Sequence, residues 1–104
     1  MNHNDVITLK LVTGEEVVAR FRGGKSSDGN SIKITHPLIL VPVENGRFRF
    51  YPWIFTRDLE QEFLIALRTV ITYGLADEDT AKHYAVQSGT TDILMTPQKP
   101  RIVV

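Results

Sequence analysis

The sequence predicts a mainly β fold: a small barrel of five strongly bent strands with an inserted β-hairpin arm and one helix near the C-terminus. Three observations predict it. Apolar and polar residues alternate in short runs over most of the chain. Turn-forming residues separate those runs. The period changes only once, after residue 77, to that of a helix. On this reading the 104 residues form one domain, 1–104, large enough to close a small barrel and too small for two separate cores.

From Val6 to Leu11, the residues Ile7, Leu9 and Leu11 alternate with Thr8 and Lys10, the two-residue period of a strand buried on one face. Val12-Thr13-Gly14-Glu15 makes a turn. Val17, Ala19 and Phe21 then alternate with Val18, Arg20 and Arg22, so the first two strands form a hairpin. Residues 23–30, rich in Gly and Ser, cannot bury apolar area and are expected to form a flexible loop. A third strand carrying Ile32 and Ile34 is expected to stop at His36-Pro37, because proline removes a ladder donor.

The arm spans 38–55. Leu38 to Val43 and Arg47 to Phe50 are joined by Asn45-Gly46, which suits a type I′ turn, and Pro42 and Pro52 suggest edge strands. The acidic stretch Asp58 to Glu62 is a solvated connection. Phe63, Ile65 and Leu67 alternate up to Arg68-Thr69, and Val70 to Tyr73 completes the barrel strands, which lie within about 6–73. Glu78 and Asp79 after Asp77 suit the positive end of a helix dipole, and Gly89 suits a C-cap, so a helix is predicted over 77–88 with Ala81, Tyr84 and Ala85 on one side. The tail, 90–104, contains Pro97 and Pro100 and is expected to be extended, with Ile93, Leu94 and Met95 available to pack on a neighbour.

Composition narrows the chemistry. With no cysteine there is no disulfide framework, thiolate nucleophile or thiolate zinc site. The N-terminus lacks the basic and apolar regions of a signal peptide and no stretch is long enough to span a bilayer, so a cytoplasmic protein is expected. Twelve basic and twelve acidic residues cancel to a formal net charge of zero, unlike the basic surplus of a dedicated nucleic-acid binder. A local basic patch repeated around a ring remains compatible with that balance.

No catalytic or metal motif emerges. His3, His36 and His83 are scattered and none stands at ligand spacing from another, so no metal and no cofactor are expected. Gly23-Gly24-Lys25-Ser26-Ser27 lacks the first glycine of a phosphate loop. Asp58, Glu60 and Glu62 have the spacing of a solubilising loop, and nothing beside them would raise a pKa. The expectation is a protein that is not an enzyme.

Phe48, Phe50, Tyr51, Trp53 and Phe55 gather most of the aromatic residues in the arm, interleaved with Arg47 and Arg49. Such a strand can stack and neutralise single-stranded nucleic acid. Alternation, however, sets Arg and Phe on opposite faces, which favours phenylalanines packed in a core or subunit interface.

Leu9-x-Leu11-x-x-Gly14-x-x-Val17-x-Ala19, followed by a polar loop and a third strand, resembles the first motif of the Sm, LSm and Hfq proteins. The segment from Phe63 to Tyr73 is similar to the second motif, with Leu67-Arg68-Thr69 standing where that family has an apolar residue, Arg and Gly. The resemblance covers about residues 6–89. It is nearest to the small Sm-like proteins of cyanophages and related marine tailed phages, which carry a similar arm and helix. Asp28 and Asn30 lie in the loop of the family's Asp-x-x-Met-Asn signature at a different spacing, and no helix precedes the first strand.

The resemblance implies an Sm-like (SH3-like) barrel that assembles through its last two strands into a homo-oligomeric ring of about five to seven copies. It also implies binding of single-stranded RNA through Lys25, Asn30 and Arg68, in a phage-encoded protein of the host cytoplasm. Phe48, Phe50, Trp53, Phe63 and Ile65 are the candidate partner or subunit contacts. An alternative is a non-enzymatic adapter or structural ring that holds a phage or host protein on the aromatic arm.

Overall fold

The computed structural model describes residues 1–25 and 29–89, with the backbone alone at Gly24 and Lys25. Six antiparallel strands and one helix follow in the order β1 (Val6–Leu11), β2 (Glu16–Lys25), β3 (Ser31–Pro42), β4 (Phe48–Pro52), β5 (Phe63–Ala66), β6 (Val70–Leu75) and α1 (Glu78–Ser88). A 3-10 turn, Leu67–Thr69, joins β5 to β6. Neighbouring strands run β4-β3-β2-β1-β6, and β5 pairs with the first part of β3. The sheet thereby wraps around one core to which β1, β2, β3 and β5 contribute the buried residues. Among the described residues, no helix is long and apolar enough to cross a membrane. Ser26, Ser27, Asp28 and the tail 90–104 lie outside the described residues, and with them part of the expected loop and the whole expected extended segment.

Strand alternation builds that core directly. Ile7, Leu9, Val17, Ala19, Ile32 and Ile34 point to one face and are essentially inaccessible to solvent. Burying each of the larger aliphatic side chains stabilises the fold by roughly 2 kcal/mol. The opposite face of the sheet has a second, smaller cluster, in which Tyr84 of α1 packs with Val18 and Leu38 and is flanked by Val6, Phe50 and Leu59.

Proline does not end the third strand. β3 runs through His36-Pro37, where Val18 pairs with Leu38 and Arg20 with Thr35, so His36 and Pro37 together oppose Ala19. This is a β-bulge, which interrupts the ladder locally and bends the strand, so the missing proline donor falls where regular pairing already stops. His36 takes a left-handed φ of 53°, a conformation that costs on the order of 1 kcal/mol outside glycine. Both of its backbone groups find distant partners: its N–H donates to the Leu59 carbonyl (2.8 Å) and its carbonyl accepts the Tyr84 hydroxyl (2.6 Å). Beyond the bend, β3 pairs with β4 from Leu38–Pro52 to Pro42–Phe48. Asn45 and Gly46 both have positive φ (61° and 71°), the type I′ geometry expected for this hairpin.

The predicted helix forms with both of its caps. The Asp77 carboxylate accepts the Thr80 N–H at 2.8 Å, a bond that lowers its pKa. Gly89 closes the last turn in the left-handed region, its N–H directed at the Ala85 and Val86 carbonyls. Tyr84 fixes the helix to the sheet, and burial pushes its phenol pKa upward. Its ring meets Phe50 edge-on, with centroids 6.1 Å apart, and Arg20 stacks at 5.9 Å. Replacing Tyr84 by Phe keeps the ring and strands the His36 carbonyl, so urea denaturation is expected to register a loss of about 1 kcal/mol. Replacing it by Ala is expected to cost roughly 3–5 kcal/mol.

Candidate functional site

Two of the three polar candidates meet at one end of the sheet. The Asn30 carbonyl accepts the Leu67 N–H at 2.8 Å, which ties the start of β3 to the turn carrying Arg68. Ser31 pairs with Ala66 beside them, and the backbone of Lys25 stands opposite Ile32. Arg68 is exposed, and among the described residues its guanidinium has no hydrogen bond or ion pair. Thr69 closes the turn: its hydroxyl donates to the Ala66 carbonyl at 2.6 Å and its own carbonyl accepts Val12 N–H at 2.8 Å. None of residues 67–69 has positive φ, so the turn needs no glycine and threonine fits it.

The apolar candidates divide differently. Phe63 and Ile65 are buried in the chain's own core. The reason is register: Ile65 pairs with Ile32 and Phe63 with Ile34, so both share the core face of β3. The Arg57 guanidinium lies 4.1 Å from the Phe63 ring centroid and donates to the Glu62 carbonyl at 3.1 Å. Phe50 is half-buried against Tyr84 and Trp53 half-buried against the main core. Leu38, which opens the apolar run of the arm, is likewise buried within the chain. Of the five apolar candidates only Phe48 is exposed, at 59%.

Other apolar side chains are exposed where strands lack neighbours. Among the described residues, β5 pairs only with β3, and β6 only with β1. The Leu67–Asn30 and Ala76–Val6 bonds fix the phase of these two ladders. By the two-residue repeat of antiparallel pairing, the backbone groups of Leu64 and Ala66, and of Tyr73 and Leu75, point away from the sheet. Leu64 is 61% exposed and Ile71 64% exposed, with Tyr73 and Leu75 also exposed along β6. Tyr73 and Leu75 pair with Leu9 and Ile7 and so extend the core face past its last covered strand. The period of Val70–Leu75 is visible in the sequence, but that this strand is an edge is a property of the whole topology.

No protein-family model matches this chain, and no curated protein matches it. The chemistry of the site is therefore argued from its own residues. Asp58, Glu60 and Glu62 are exposed and build a turn in which the Asp58 carboxylate accepts Glu60 N–H at 3.0 Å and its carbonyl accepts Gln61 N–H at 3.1 Å. His83 is exposed, its Nδ1 2.9 Å from the Asp79 carbonyl. Among the described residues, no three His, Asp or Glu side chains cluster as metal ligands. What the loop end offers is an unpaired cation beside backbone polar groups, an arrangement suited to holding an anion such as a phosphate.

His36 sits where the fold perturbs its pKa. Burial lowers it from the ordinary value of 6.5; Glu60 and Asp58 oppose the shift, while Arg22 and Arg20 reinforce it. The unfolded chain therefore takes up a proton before the folded one. The stability that His36 contributes is full above pH 6.5 and is lost as pH falls through the lower folded value. Asparagine tolerates the left-handed bulge and does not titrate. His36→Asn is expected to keep the fold and to flatten the decline in thermal midpoint as the pH is lowered from 7 to 5, compared with the unmodified protein.

Proposed function

We propose that this chain is an Sm-like subunit that assembles edge to edge into a ring of about five to seven copies and binds single-stranded RNA at its loop end. The observation that carries this reading is the pair of open strand edges, β5 and β6, on either side of one short turn, both carrying exposed apolar side chains. An open apolar edge invites pairing with another strand. Joining β5 of one copy to β6 of the next is a heterologous contact, which closes when the rotation between copies divides a circle. The turn between those edges holds Arg68, so assembly repeats that cation around the axis. A subunit of zero net charge then presents a concentrated positive field. The resemblance of the motifs around Gly14 and Arg68 to Sm-like proteins supports the same reading, in which the chain binds and does not catalyse.

A second reading rests on a different surface. Tyr51 and Phe55, at 42% and 79% exposure, stand exposed with Phe48 in the arm. They favour a non-enzymatic adapter that holds a protein there.

Native mass spectrometry is expected to report one closed oligomer for the unmodified protein. Ile71→Glu, on the open face of β6, is expected to give folded monomers, and a monomeric unmodified protein would remove the ring. Titrating labelled oligouridylate, the double variant Lys25→Ala/Arg68→Ala is expected to bind about tenfold more weakly with a shallower salt dependence. Unchanged binding with the ring intact would exclude this loop end as the RNA site.

A further inference from the structure

The arm has an open edge of its own. In the strand order, β4 pairs with β3 on one side and with no described strand on the other. The Val43 N–H reaches the Arg47 carbonyl (2.8 Å) and the Trp53 N–H reaches the Pro37 carbonyl (3.2 Å). These bonds mark the hydrogen-bonded rows at either end of the β3–β4 ladder. By the two-residue repeat, Arg49 and Tyr51 bond toward β3, and the backbone groups of Phe48 and Phe50 point out to solvent. The side chains sort by the same period: Phe48 lies on the Phe50 face, whereas Arg47 and Arg49 lie on the other. Both arginines are exposed, and among the described residues neither guanidinium has an ion pair or hydrogen bond.

We infer that the open edge of β4 is a docking strand for an extended segment of another protein in which carboxylates alternate with apolar residues. Such a segment continues the sheet through its backbone, sets carboxylates against Arg47 and Arg49 on one face, and sets apolar side chains against Phe48 on the other. A second copy of β4 is disfavoured because it would bring arginines against arginines. RNA is disfavoured because its backbone cannot match alternating N–H and C=O groups, and because Phe48 and the arginines face opposite ways. The inference rests on the adapter reading and is independent of the ring.

The probe is a fluorescein-labelled peptide of alternating Glu and Val, about eight residues long, with a Thr-Val peptide and oligouridylate as comparators. Saturable binding of the Glu-Val peptide is expected, weakened about tenfold by Arg47→Glu/Arg49→Glu. It is also expected to be weakened by Phe48→Pro, which removes the outward donor, more than by Phe48→Ala. Absence of saturable Glu-Val binding, or binding indifferent to these variants, would overturn the inference. Equal binding of the Thr-Val peptide, still blocked by Phe48→Pro, would overturn the acidic partner and leave the adapter reading standing. Binding of oligouridylate alone, lost on Arg47→Glu/Arg49→Glu, would overturn both in favour of RNA on the arm.

Discussion

The bend at His36-Pro37 is the constraint on which the rest of the structure depends. One strand, β3, has to serve two partners on the same side, β5 before the bend and β4 after it. A flat strand of that length would carry both neighbours in one plane, and the apolar residues of β5 could not close over those of β1 and β2. The bulge supplies the turn at the cost of a left-handed histidine, and the freed backbone groups are recovered by Leu59 and Tyr84. The connection from β4 to β5 and the helix after β6 are thereby anchored at one residue. The Tyr84 hydroxyl is therefore a tie between the helix and the strand whose curvature wraps the sheet around its core, and helix docking and strand bending support each other.

Much of this was legible residue by residue. The period of two placed Ile7, Leu9, Val17, Ala19, Ile32 and Ile34 on the core face, Asn45-Gly46 set the hairpin turn, and Asp77 and Gly89 bounded the helix, because each is decided by local chemistry. The continuation of β3 was not legible, since His36-Pro37 reads as a stop unless the partner strand is known to offer one residue against two. Phe63 and Ile65, expected at a contact surface, lie in the chain's own core for a related reason. An apolar run on an edge strand has one face inside and one outside, and only the register with Ile34 and Ile32 tells which is which. The exposed row on β6 carried the same alternation as a core strand. Its openness follows from there being no further strand beyond it among the described residues.

At the candidate site, the sequence marked Arg68 and Asn30 through a motif resemblance, and the hydrogen bond between Asn30 and Leu67 accounts for their meeting. Thr69 stands where the motif that this segment resembles has glycine, and it fits because the 3-10 turn has no positive φ. The distribution of charge, invisible in the sum of zero, matters more than the sum. Acidic residues gather at the turn of 58–62 and at the positive end of the helix dipole, where Glu78 and Asp79 lie. Arg47, Arg49 and Arg68 are left without carboxylate partners among the described residues.

Those unpaired arginines fall into two groups set apart by the same bend. The first part of β3 leads to the turn of Arg68, and the part beyond the bulge carries the arm of Arg47 and Arg49. In the proposed ring, the edges of β5 and β6 are consumed by neighbouring copies, whereas β4 ends the strand order opposite β6 and, among the described residues, keeps its outer edge open. Closure of the ring and docking on the arm therefore do not compete for the same backbone groups. An edge that assembly does not cover is an aggregation hazard unless it is blunted. Pro52 blunts one end by removing an outward donor, and the two arginines oppose self-pairing by charge. These devices reject a second copy of the arm while remaining complementary to a strand of opposite charge, so the protection of this edge and its selectivity arise from the same side chains.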